Sequence, residues 1–119
     1  MQATAGLENL AESVPKRFVR EVEGMRVFLV SGEYVRNHLE IDFTLGSHWV
    51  FEDSPYIPDG EVWIEETLAG FDREAIVFHE VFEVKLMREG VPYPEAHAKA
   101  TEAERKFRKN MLKGGLFPG

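Results

Sequence analysis

Asp72-Arg73-Glu74-Ala75-Ile76-Val77-Phe78-His79-Glu80-Val81-Phe82-Glu83-Val84-Lys85-Leu86-Met87-Arg88-Glu89-Gly90 is the stretch on which the reading of this chain turns. Its apolar residues recur with a period near 3.6 and cover most of a helical cylinder, which predicts a helix buried in the middle of its domain. Asp72 suits the N-cap, with Arg73 and Glu74 in the first turn. Gly90 stops the helix and Pro92 prevents its continuation. A second helix is expected from Tyr93-Pro94 to about Met111, closed by Lys113-Gly114-Gly115 and followed by the tail Leu116, Phe117, Pro118, Gly119. The short reversal around Gly90-Val91 makes the two helices antiparallel.

Upstream the period drops to two. Residues 61–66 read as a strand with Val62 and Ile64 on one face and Glu61, Trp63 and Glu65 on the other. Residues 25–30 read as another. Ser31-Gly32-Glu33 supplies a turn, after which Tyr34 and Val35 begin a second strand. A further strand pair is expected at 41–45 and 48–51 around Gly46-Ser47. Pro55, Pro58 and Asp59-Gly60 mark a loop. Ser13 followed by Pro15 reads as a helix start, with Phe18, Val19 and Val22 as its apolar side and Gly24 as its end. The expectation is one α+β domain over residues 1–119: a short N-terminal helix, a small antiparallel sheet and a C-terminal antiparallel helical hairpin.

Composition narrows the function. Hydrophobic residues make up 44% and charged residues 29% of the 119, an ordinary globular balance. No apolar run approaches the roughly 20 residues that span a bilayer. The first nine residues lack a basic start followed by an apolar segment, so a cytoplasmic address is expected. A net charge of −7 speaks against nucleic-acid binding. The basic run Arg105, Lys106, Arg108, Lys109, Lys113 is read as cations favoured at the negative end of the last helix. With no cysteine, any metal must sit on His, Asp or Glu.

The chemistry concentrates in the hairpin. His79 and Glu83, four residues apart, share one helix face and can point at a common atom. Glu80 flanks the same spot, about 100° round the axis. This is the spacing of HExxH metalloproteases, in which two ligands lie one turn apart and the intervening Glu takes a proton from water on the ion. Here Glu replaces the second His. Carboxylate is a competent zinc ligand, and added carboxylate shifts preference toward manganese, iron or magnesium. In a chain with 21 acidic residues the string alone carries little weight. The second helix adds to it: Tyr93, His97, Ala100, Glu104, Phe107 and Met111 form one packing face. Counting from the turn puts His97 level with Glu83 or Val84 and Glu104 near Val77 or Phe78, so close to His79, to within about one helical turn. Ligands His79, Glu83 and His97, with Glu104 behind them, fit a metal best; Glu104 as third ligand with His97 outside is the competitor. A metal-free network of Glu83–His97 and His79–Glu104 pairs that holds the hairpin in register is the other reading.

The run His79-Glu80-x-x-Glu83, Leu86-Met87, Gly90, Tyr93, Ala96-His97, Ala100, Glu104 resembles a group of small, mostly uncharacterised proteins of bacteriophages and bacteria. In that group a zincin-like helix is followed by a second helix reading Y-x-x-A-H-x-x-A-x-x-x-E. Tyr56-Ile57-Pro58-x-Gly60-Glu61-Val62-Trp63-Ile64 is similar to the segment preceding that helix. The resemblance covers the second half of the chain. It implies a zincin-like fold and a divalent metal, with no established substrate. Zincin metallopeptidases carry HExxH, so the Glu83 departure bears on peptidase activity more than on metal binding.

Two functions are therefore expected as alternatives. One is a metal-dependent hydrolase of peptide or amide bonds, with zinc on His79, Glu83 and His97 (manganese or iron as substitutes) and Glu80 as general base. The other is a non-catalytic protein of phage type that modulates a protein or peptide partner, its His–Glu cluster structural. Glu-x-x-His pairs of di-metal bundles are absent. His48 could approach the site from the sheet but is read first as a polar turn residue, and His38 is read as solvated. Trp63 and Glu65 are core and surface positions before they are a substrate groove, and Tyr93 packs before it serves as a phenol.

Overall fold

The computed structural model describes residues 14–114. Ser13, read as a helix start, and residues 115–119, the expected helix end and tail, lie outside the described residues. The architecture is α+β: a mixed four-stranded sheet with the C-terminal helices packed together as a hairpin.

The expected N-terminal helix is a strand. β1 (Lys16–Val22) and β2 (Met25–Val30) form an antiparallel hairpin in which Val22 pairs with Met25. Glu23 and Gly24 reverse the chain with φ of 49° and 84°, a two-residue turn whose twist suits a hairpin. Val19 and Val22 stand at a helical spacing, yet both pack on the sheet's core. They can do so because the register slips between Phe18 and Arg20, leaving Val19 as the extra residue of a bulge.

After β2 comes α1 (Gly32–His38), where a second strand was expected at Tyr34-Val35. Ser31 caps it, its hydroxyl accepting from the Tyr34 N–H at 3.1 Å. The strand pair expected at 41–45 and 48–51 is also absent. Gly46-Ser47, read as its turn, belongs to the three-residue strand β3 (Gly46–His48), and Ile41 is 80% exposed. β4 (Glu61–Glu65) follows the Pro-rich loop, then α2 (Gly70–Arg88) and α3 (Tyr93–Gly114). α2 begins before Asp72: Ala69 occupies the cap without a side-chain hydrogen bond, and Asp72 sits in the first turn.

The sheet order is β1-β2-β4-β3. β3 runs antiparallel to β4, but β2 and β4 are parallel, so the sheet is mixed rather than antiparallel. A parallel pair needs a crossover, and α1 with the loop around β3 supplies it. β4 is buried on both faces. Val62 and Ile64 meet Ile76, Val77, Val81 and Val84 of α2, each such side chain contributing about 1.5–3 kcal/mol on burial. Trp63 packs the opposite face with Val35, Phe43, Tyr56 and Ile57.

β3 is held close to α2. A Cβ on Gly46 would lie 3.2 Å from Cγ of Glu80, Cδ1 of Ile64 and the Trp63 carbonyl, so a larger residue would push the strand away. Ser47 and Ser54 hydroxyls share a hydrogen bond of 2.7 Å, and Ser54 and Tyr56 donate to Glu40 at 2.6 and 2.7 Å. Among the described residues, no helix is long and apolar enough to cross a membrane.

Gly32 anchors the start of the crossover: its N–H donates to Glu65 Oε1 at 2.7 Å, and a Cβ there would collide with that oxygen. Gly32→Ala is expected to cost about 2 kcal/mol in urea unfolding. The loss should be less than additive with Glu65→Ala, because the two changes disrupt one contact.

Candidate metal centre

Gly90, at φ 102°, turns the chain out of α2, and α3 starts after Pro92. Ala96 and Ala100 are fully buried, so the helices approach closely, and the Phe78 and Phe107 rings stack at 4.7 Å further along. This register brings together the four residues expected to meet. His97 Nδ1 lies 2.8 Å from Glu83 Oε2, and His79 Nδ1 lies 3.0 Å from Glu104 Oε1. His79 Nε2 stands 3.4 Å from Glu83 Oε2, and the two imidazoles meet edge to face at 5.0 Å. His79, Glu83 and His97 each offer a ligand atom within 4.8 Å of the others, so these groups can hold a metal ion.

Protons on the rings sort the roles. His79 Nδ1–H donates to Glu104 Oε1, which leaves Nε2 facing Glu83. Arg108 holds Glu104 in turn, Nε to Oε2 at 2.9 Å, and also Asp72 at 2.9 Å. An outer carboxylate that fixes a ligand's tautomer is the usual support of a metal-bound imidazole. Two imidazoles and one carboxylate form a donor set that catalytic zinc sites use, with a position left for water. The residues present therefore fit a metal ion, and Glu104 lies against Nδ1 of His79.

His48 reaches the cluster from the sheet, the less favoured of its two sequence readings, and does not sit on an exposed turn. Its ring is fully buried and Nε2 lies 2.7 Å from Glu83 Oε1. The small pair Gly46-Ser47 just before it, which lets a strand approach a helix, was the available signal. Glu83 thus faces His97 and His79 with one oxygen and His48 with the other. Burial alone would raise its pKa, but hydrogen bonds from His48, His79 and His97 outweigh that and hold it down at about 2. For His79, burial pulls the pKa down, while the hydrogen bond to Glu83 and the charges of Glu80, Glu83 and Glu104 carry it above its ordinary value.

Glu80 has the opposite surroundings. It is 7% exposed and makes no hydrogen bond among the described residues, so its oxygens must open onto the adjoining cavity of about 310 Å³. Burial and the neighbouring negative charge of Glu83 push it up to about 8. The cavity is also walled by His79, Glu83, His97, Tyr93 and Glu104. Tyr93 stacks on Phe51 at 4.2 Å and against His97 at 5.3 Å, and its phenol is pushed up to about 12 by burial and nearby carboxylates. Trp63 and Glu65 do not border this cavity; Trp63 is core and Glu65 accepts from Gly32 and Thr67 N–H groups. His38 is exposed, and within the basic run Arg105 pairs with Glu102.

Compared with family models, curated proteins and solved structures, the chain matches none.

In metal-free protein the two carboxylates should act oppositely on stability. Glu80 ionises near pH 4.5 when unfolded and near 8 when folded, so its contribution declines between those values and stays unfavourable above them. Glu83→Gln should cost about 3 kcal/mol at pH 7, because three imidazoles lose a charged acceptor. Glu80→Gln should instead stabilise by about 2 kcal/mol at pH 7 and flatten the decline between pH 4.5 and 8. Thermal melts of chelator-treated protein across that range check both.

Proposed function

We propose that this protein is a divalent-metal-dependent hydrolase acting on peptide or amide bonds. His79, Glu83 and His97 hold the ion, and Glu80 handles the proton. The observation that carries this reading is the Glu80 carboxyl, buried yet without a hydrogen bond among the described residues, opening onto the same cavity as the three donors. A carboxylate committed to structure would be paired; one that must accept a proton has to be left free.

A divalent ion bound there supplies Lewis acidity and acidifies water near neutral pH. The chain's own groups do the rest. Ionised by the positive charge of an ion held beside it, Glu80 accepts the proton of the attacking water and passes it to the departing amine. Glu104, itself held by Arg108, keeps His79 in the tautomer whose Nε2 faces Glu83. His97, with a half-exposed side chain, stands where the cavity meets solvent. Two imidazoles to one carboxylate favour zinc, and the further acidic groups make manganese or iron the next choice. The resemblance to zincin-like phage and bacterial proteins supports this reading, on which the protein would work in the cytoplasm of a bacterial or phage-infected cell.

One observation favours a second reading. Among the described residues every buried polar side-chain atom has a partner or reaches solvent, so the His–Glu cluster is satisfied without an ion. In that case the cluster fastens the hairpin, and the acidic surface binds a protein or peptide partner.

Elemental analysis of untagged protein, chelator-dependent melting and hydrolysis of a panel of chromogenic peptide amides separate the two. The hydrolase reading expects a stoichiometric ion and a lower melting temperature after chelation. It also expects Glu80→Gln to lose about 100-fold or more in turnover while keeping the ion. Absence of both metal and chelator effect would overturn the hydrolase reading and leave the cluster as a structural fastening of the hairpin.

A further inference from the structure

We infer that His48 is a positioning residue for the metal centre: reaching in from the sheet, it holds one oxygen of Glu83 and so aims the other at the space between His79 and His97. This deepens the reading of those three residues as metal ligands and rests on it.

The hydrogen-bond directions carry the argument. The Val50 backbone N–H points at His48 Nδ1 at 3.2 Å, and an amide can only donate, so Nδ1 accepts. The ring proton therefore sits on Nε2 and is donated to Glu83 Oε1 at 2.7 Å. His48 is the only partner of that oxygen among the described residues, while Oε2 meets His97 and His79. Rotation of a carboxylate about its last torsion is soft, so without a fixed donor the carboxylate plane turns and neither oxygen is held on the line toward His79 and His97. The His48 ring cannot itself swing away. It is fully buried, with Phe51 against it at 6.4 Å and its strand held close to α2 at Gly46.

A different assignment is possible on distance alone, because His48, Glu80 and Glu83 also offer ligand atoms within 4.8 Å of one another. A ligating nitrogen needs its lone pair, however, and Nε2 carries the proton. Moving that proton to Nδ1 would set two N–H groups, its own and that of Val50, against each other. His48 therefore acts through Glu83. Its counterpart on the other side is Glu104, which fixes His79; each of the two buried ligands has an outer partner, one from the sheet and one from α3.

The test uses two substitutions that separate the ring's nitrogens. His48→Asn retains an acceptor for the Val50 N–H but is too short to reach Glu83. His48→Gln carries a donor far enough out to replace Nε2. Zinc affinity is measured by competition with a chromophoric chelator, cobalt(II) absorption reports the ligand field, and melting of the metal-free proteins reports folding. The expected result is one ion per chain throughout. Zinc should bind about 10–100-fold more weakly in His48→Asn, with an altered cobalt spectrum, and His48→Gln should recover most of the affinity. Unchanged zinc affinity in a His48→Asn protein that merely melts lower would overturn the inference and leave His48 a packing residue. Two ions in the wild type and one in both variants would also overturn it, making His48 a ligand of a second ion. No ion bound by the wild type would instead remove the underlying metal reading, a result distinct from either.

Discussion

A carboxylate buried between two helices and a sheet must be neutralised or it will not stay ionised, and Glu83 meets that constraint by drawing three imidazoles around itself. His79 comes from its own helix, His97 from the partner helix of the hairpin and His48 from the short edge strand. These contacts tie α2, α3 and β3 at one point. They compensate for the modest apolar contribution of α3, whose buried packing rests on Ala96 and Ala100 and on the Phe107 ring against Phe78. Losing the Glu83 charge would leave three buried or half-buried rings without their common acceptor, which makes this residue more costly to alter than any single apolar contact.

Glu80 and Glu83 show how position on one helix separates two chemically identical groups. Three residues apart on the same helix, one is held low by donors and the other raised by burial beside a negative neighbour. A pair of carboxylates pushed apart in this way is a recurring arrangement where one group binds and the other moves a proton. The asymmetry follows from the sheet. Gly46 allows β3 to lie against Glu80 closely enough to bury it without giving it a donor, while His48, two residues on, supplies the donor to Glu83.

The hairpin was legible because its signals are local and redundant. Periodic apolar residues, Gly90 with Pro92, and equal distances from a short turn put His97 near Glu83 and Glu104 near His79 to within about one helical turn, and the folded hairpin closes both pairs. The strand at Glu61–Glu65 was legible for a similar reason, since strict alternation assigns its faces. The N-terminal strand was not, because a bulge at Val19 gives a strand the apolar spacing of a helix. Nor was α1, seven residues long, whose only clear mark is the capping hydroxyl of Ser31.

The amino-acid order alone settles which groups share a helix face, where the hairpin turns and which four polar residues must answer one another across it, because those relations depend on residue spacing along regular elements. The parallel pairing of β2 with β4, the arrival of His48 at Glu83 and the freedom of Glu80 belong to the folded molecule. Each depends on how a crossover of irregular chain lays β3 against α2, and irregular chain has no period from which such a placement can be read.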